Sequence, residues 1–359
     1  MRLDRRRLLR LAALGAAGAV LPAGLAAGPF ARQGAARSGD AAGPRIPADI
    51  ASHAIAVVSR PFRRFSPIAG DRTRFGELDF VGGVELSSAD KRFGGWSGLW
   101  IGPEGRLLSV SDHGSWLSAR LVVDDGRPVG LADTLLAPIL GPDGRPVAST
   151  RRFDTESLAL AGGVAYVGVE RVHEVLRFAI GQDGLGAAGQ VVPAPASIKQ
   201  LPANRSLEAV GVVPAGPLAG RLIAIAERSD PGEDTPTRGF VLTGGFAEFS
   251  VARNDGYDIS DLAFLPGGDM LLLERRFQIF TGIRMRVRRI AAGSIRPGAL
   301  LDGPSLIEAG VTTAIDNMEG LAVHRGPGGE TLLTMISDDN FSSLQKTVLL
   351  QFRLATGVG

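Results

Sequence analysis

The chain has 359 residues, 45% of them hydrophobic and 21% charged, so it is too apolar to stay disordered and long enough for one large core. Glycine supplies 49 residues, twice the usual share of ~7%, which favours tight turns between short strands. The 39 bases nearly balance 37 acids, and no basic stripe interleaved with aromatics argues for nucleic acid; the lack of cysteine excludes disulfides, Cys-ligated zinc and a thiol nucleophile.

Residues 1–27 (MRLDRRRLLRLAALGAAGAVLPAGLAA) have a basic head, an apolar stretch from Leu11 to about Leu25, and small residues suited to a signal peptidase. Arg5, Arg6 and Arg7, then Leu8, Leu9 and Arg10, give the head a twin-arginine form, with Asp4 where Ser or Thr is commoner and Leu8 where Phe is. The segment falls short of the ~20 strongly apolar residues of a membrane span and is rich in Ala and Gly. Export to the periplasm or beyond is therefore expected, with no stable span in the mature chain. Without these residues 34 bases face 36 acids, so the apparent basicity belongs to the address. Residues 28–52 read as a flexible leader, and residues 53–359 as the folded domain.

Five aligned pieces follow, each an apolar strand, a Gly-rich turn and a second apolar strand ending near an acid. They begin at Ser97, Glu156, Glu208, Ser260 and Glu319, spaced by 59, 52, 52 and 59 residues. Two further strand-like runs per unit, such as VLRFAI and GQVVPA in the second, give the pattern of a four-stranded propeller blade. The fifth unit ends one strand short, while the run Leu78–Leu86 has no blade of its own. The spacing predicts an all-β fold: a single β-propeller of five blades, its ring closed by that N-terminal strand, with a sixth blade left open by the strand-like run His53–Ser59.

Each inner hairpin is antiparallel, so the start of its first strand and the end of its second meet at one mouth of the central channel. The strand-end slots hold Asp112, Glu170, Glu227, Glu274 and Asp338; the strand-start slots hold Ser97, Glu156, Glu208, Ser260 and Glu319. Two positions before the starts come Gly95, Asp154, Ser206, Asp258 and Asn317. So many acids require positive charge nearby. Arg171, Arg228 and Arg275, each following a strand-end acid, supply it as structural ion pairs; a divalent ion supplies it as a ligand cluster in which hard oxygens, with Asn317 and Asn340, suit Ca²⁺ better than Mg²⁺ or Mn²⁺. His113 and His173 sit near the mouth as possible acids or bases. Gly95-Trp96-Ser97-Gly98 is only part of a nucleophile elbow, because Leu99 takes the last glycine and no helix follows, so Ser97 reads as a polar filler. Trp96, Trp100 and Trp116 are expected to pack between the first blades.

The stretches GGWSGLWIGPEGRLLSVSDHG, FDTESLALAGGVAYVGVER, NRSLEAVGVV, YDISDLAFLPGGDMLLLERRF, DNMEGLAVH and ISDDNFSSLQKTVLLQFRL resemble the phytase-like domain proteins described by an esterase-like activity of phytase. The resemblance covers about residues 70–355 and implies an exported bacterial propeller that hydrolyses phosphate or carboxylic esters. By motif position it implies Glu156, Glu208 and Glu319 as ligands or catalytic bases and Arg171, Arg228 and Arg275 as phosphate clamps, while His113, from its place directly after Asp112, is a further candidate acid or base. Asp112, Glu170, Glu227, Glu274, Asp338, Asp258 and Asn317 are then the expected metal ligands, with Ca²⁺ as the expected ion. The sequence lacks a histidine-based phosphatase motif. A small ester or phosphate substrate and a monomer are expected. A propeller lactonase built on Asp258, Asn317 and Glu319, and a calcium-stabilised propeller that binds a cell-envelope partner without catalysis, are the competing readings.

Overall fold

The computed structural model describes residues 52–355 except Pro231 and Glu233; the expected export signal and all but the last residue of the leader lie outside the described residues. Five antiparallel blades form the ring. From the inner strand outward, blade 1 is Trp96–Ile101, Arg106–Ser111, Ser115–Asp124 and Arg127–Pro138. Blade 2 is Thr155–Ala161, Val164–Val169, Glu174–Phe178 and Gln190–Val191, and blade 3 is Leu207–Val212, Leu222–Ala226, Thr237–Val241 and Ala247–Val251. Blade 4 is Asp258–Phe264, Met270–Gln278, Gly282–Ile290 and Ser305–Ala309.

Blade 5 begins at the C-terminal end of the domain, with Asn317–Arg325, Thr331–Asp338 and Thr347–Leu354, and takes its fourth strand, Leu78–Ser88, from the N-terminal side. That pairing runs over eight residue pairs, from Thr347↔Leu86 to Leu354↔Leu78, and joins the ring as the unassigned sequence run suggested. The stretch that left a sixth blade open is used at two edges instead. His53–Ala54 adds to blade 1 and Val57–Phe62 to blade 5, which covers two outer strands that would otherwise be open to pairing with another chain.

Each blade buries both of its faces, so the middle strands read as continuous apolar runs rather than as an alternation. Met270 and Leu272 face blade 3, whereas Leu271 and Leu273 face blade 5. Five hydrophobic layers fill the five spaces between neighbouring blades. Trp116 meets Phe178 edge-on across blades 1 and 2 at 5.2 Å, and Trp96 packs edge-on against Phe93. At the ring axis the inner strands approach so closely that a Cβ on Gly98 would lie 2.7 Å from the backbone nitrogen of Leu158. A side chain there would push blades 1 and 2 apart.

A second tie between inner strands is Asp261, which the sequence reading passed over. Its fully buried carboxyl group accepts the backbone N–H of Leu262 at 2.8 Å and, across to blade 5, that of Leu321 at 2.7 Å. Asp261→Ala leaves the Leu321 N–H buried without that acceptor and is expected to cost about 1–3 kcal/mol of stability, read by denaturant unfolding. Among the described residues no helix is long and apolar enough to cross a membrane.

Candidate functional site

In every blade the inner hairpin carries a register shift, and in every blade the displaced residue is the strand-start slot: Ser97, Glu156, Glu208, Ser260 or Glu319. A bulge inserts one extra residue and re-aims its side chain, so the fold repeats the same device five times around the mouth. Two residues before each bulge, the backbone pairs with the strand-end slot. Gly95 meets Asp112, Asp154 meets Glu170, Ser206 meets Glu227, and Asn317 meets Asp338.

Blade 4 departs from the expected set of five acids. There the partner of Asp258 is Arg275, and Glu274 pairs with Ile259, one position earlier. Because side chains alternate along a strand, that one-residue offset turns Glu274 away from the mouth toward blade 3. The alternation Arg284, Arg286, Arg288 on the next strand supplies its partners: the Arg286 Nε donates to Glu274 Oε2 at 2.7 Å, and Arg288 donates to both carboxylate oxygens. Glu274, Arg286 and Arg288 are all buried. Glu274 is thus the anion of an inter-blade ion cluster, and Arg275 takes its place at the mouth, 3.3 Å from Glu319 and 3.7 Å from Glu227.

Asp258 is likewise drawn into arginines. Arg228 grips both of its oxygens with three hydrogen bonds, and the fully buried Arg253 adds a fourth. This separates Asp258 in role from Asn317 and Glu319, the other members of the expected lactonase set. Arg228, 12% exposed, is occupied by that carboxylate rather than offered to an anion. Arg171 is the opposite case: 50% exposed, it bonds Asp154 through Nε and lies 4.2 Å above the Phe153 ring, which leaves a guanidinium face at the surface.

The acids that do converge belong to blades 2 and 3. Asp154, Glu156 and Glu170 bring one carboxylate oxygen each within 4.8 Å of one another, and so do Glu170, Glu208 and Glu227. All five are buried, and Glu170 belongs to both groups. Two oxygens bound to one Ca²⁺ at ~2.3–2.6 Å lie no more than about 5 Å apart, so each trio has the spacing of a shared hard cation. The donor set is all carboxylate, which suits Ca²⁺, Mg²⁺ or Mn²⁺ and not a soft metal. Asp154 holds a left-handed backbone at φ 77°, as does His173 at 53°, and the bulky Phe341 at 50°; such strain concentrates where a site has been over-determined.

On the other side of the mouth, Glu319 accepts hydrogen bonds from Ser97 at 3.2 Å and from the Asn317 amide at 2.7 Å, while Asn317 Oδ1 accepts from Arg275. Ser97 is therefore a carboxylate donor, in keeping with its reading as a polar filler, and Asn317 organises acids around it. Burial pushes the Asp338 carboxyl well above its ordinary value, and the nearby Glu319 and Asp112 push it further. Burial raises Asp261 in the same direction. His173, bonded through Nδ1 to Ser206, is held below its usual value by burial and then by Lys199, and His113 stacks flat on Phe341 at 4.1 Å.

The raised carboxyls give stability a sign with pH. The native state keeps protons on Asp338 and Asp261 that the unfolded chain releases near pH ~4, so native stability falls as pH rises above that value. Thermal melts of chelator-treated protein are expected to show a Tm that falls with pH between 5 and 7 in wild type relative to Asp338→Asn, a comparison that cancels the opposite contribution of His173 and His324, both held below their usual range by burial. A Tm difference between the two proteins that does not change with pH would contradict the assignment.

The match between this sequence and known proteins is at the level of family. A comparison with curated protein sequences finds no match. Among solved structures, the chain is similar to the PQQ domain of pyranose dehydrogenase from Coprinopsis cinerea, at 9% identity and TM-score 0.42, covering 86% of this chain and 98% of that one. It is also similar to an endo-arabinase from Bacteroides thetaiotaomicron, at 9% identity and TM-score 0.46 over 75% and 97% of the two chains. The PQQ-bound aldose sugar dehydrogenase from Streptomyces coelicolor gives 15% identity and TM-score 0.35 over 84% and 99%. At such values these likenesses say nothing about activity. The phytase-like family model, described as esterase-like activity of phytase, matches residues 91–341, which include every mouth residue described above, and the chain belongs to that family.

Proposed function

We propose that this protein is an exported, metal-dependent hydrolase of ester substrates, phosphate esters foremost, working at the acidic mouth of the propeller. The observation that carries this reading is the pair of buried carboxylate trios that share Glu170. Asp154, Glu156, Glu170, Glu208 and Glu227 would hold the divalent ions, with Ca²⁺ the best fit to their donors. A bound ion of this kind polarises an ester oxygen and lowers the pKa of bound water.

The remaining groups then divide the work. Arg171, with its exposed guanidinium face, binds the anionic part of the substrate, and Arg275 screens the acids between blades 3 and 5. Asp338 and Glu319 form a carboxyl pair bridged by the Asn317 amide, and Asp338, which burial and its acidic neighbours push well above its ordinary value, is the member that keeps a proton. Glu319, oriented by Ser97 and Asn317, is the member placed to accept one. The basic head of the sequence carries the export part of the proposal.

The test is a panel of phosphomonoester, phosphodiester, phytate, short acyl ester and lactone substrates, assayed with Ca²⁺, Mg²⁺ or Mn²⁺ and after chelation. Metal-dependent turnover of a phosphate ester, lost on chelation, is the expected result. Inactivity across the whole panel, with a Tm that still rises on adding Ca²⁺, would replace the hydrolase by a calcium-stabilised binding propeller.

A further inference from the structure

A second concavity opens beside the acidic mouth. It has a volume of about 560 Å³, and on the side of the mouth its wall includes His113 and Phe153. These two residues directly adjoin Asp112 and Asp154, and the Asp154 N–H donates to the Asp112 carbonyl at 2.8 Å. The strained loops that set the mouth acids therefore also build this wall. The rest of the lining is mainly apolar, with Leu136, Ala137, Pro138, Pro146 and Ala148, and also includes Lys91 and Arg92.

The position of the guanidinium over Phe153 makes the wall two-sided. Arg171 lies on that ring and lines a smaller cleft of about 260 Å³ with Arg151 and Asn204, to which Phe153 also contributes. Phe153 thus separates a cationic cleft from an apolar one. An ester whose acid part is anionic and whose alcohol part is apolar has the same division of chemistry.

We propose that the concavity lined by His113, Phe153 and Ala148 is the alcohol subsite of the mouth, and that it selects anionic esters of an apolar ring or chain. The volume fits one or two fused rings. This inference rests on the reading of the mouth as an ester site, but it concerns binding and is tested apart from turnover.

Full-length protein loaded with Ca²⁺ is titrated calorimetrically with 1-naphthyl phosphonate and with methylphosphonate, which share the anionic head and differ in the apolar part. The naphthyl probe is expected to bind at least about tenfold more tightly to the wild type. Ala148→Trp, at an exposed lining position, is expected to remove that preference while leaving methylphosphonate binding within twofold. Ser149→Trp, also exposed on the lining, repeats the test should Ala148→Trp lower the Tm. Equal affinity of the two probes for the wild type, failure of both to bind, or a preference that survives filling the pocket would each overturn the subsite. Tight naphthyl binding without turnover of any ester would instead sink the hydrolase reading and leave the pocket standing.

Discussion

Glu170→Gln is expected to remove divalent-ion binding and to lower ester turnover by at least about a hundredfold, no less than the loss usual for residues that merely support a metal ligand. Glu170 is the one acid common to both trios, so its substitution takes a ligand from each at once. Its backbone N–H is held by the Asp154 carbonyl at 3.0 Å, and its Oε1 accepts the Ser206 N–H at 3.2 Å. A glutamine oxygen keeps that second contact. The variant should therefore fold normally, with a chelated Tm no lower than wild type, because a buried charge has been removed among like charges. Metal analysis together with the ester assay checks both halves; a variant that binds ions and turns over substrate as wild type does would exclude Glu170 from the site.

The second large effect lies in blade 4 and concerns stability alone. Glu274→Ala leaves Arg286 and Arg288 buried without their common carboxylate, and breaking a buried pair in this way costs about 3–5 kcal/mol. The residual contacts of Arg288 to Asp302 and of Arg286 to Asp255 reach partners nearer the surface and do not replace it. Metal content and turnover of the surviving folded protein should change less than twofold, since Glu274 faces blade 3 rather than the mouth. Urea unfolding and metal analysis of the same sample check the pair of expectations. Loss of metal with unchanged stability would return Glu274 to the ligand set.

Those two acids mark where the sequence was legible and where it was not. Near-equal spacing of the units and the orphan run Leu78–Leu86 were enough to define five blades and their closure, because a propeller repeats one hairpin and must hide two edges. Glu170 and Glu227 directly follow their strands as the alignment of units required, and Glu156 and Glu208 join them. Glu274 also ended an apolar run, but an apolar run buried on both faces carries no alternation from which its side could be read. The missing signal was one strand later, in GIRMRVRRI, where arginines recur with period two and demand an inward acid. Asp261 was overlooked for a different reason. The other units place Gly, Ser, Ala and Gly after the strand-start slot, so its acid stood out only against the repeat, and its task, holding the Leu321 N–H, depends on a contact between blades. The bulges that aim the slot residues into the mouth have no sequence mark beyond the repeat itself.

Calorimetric titration of the chelated, full-length protein with Ca²⁺, run in parallel on wild type, Glu170→Gln and Glu274→Ala, tests the central assignment most directly. Saturable, stoichiometric uptake by wild type and Glu274→Ala, lost in Glu170→Gln, is the predicted result. No uptake by wild type, or uptake that Glu170→Gln leaves intact, would contradict it.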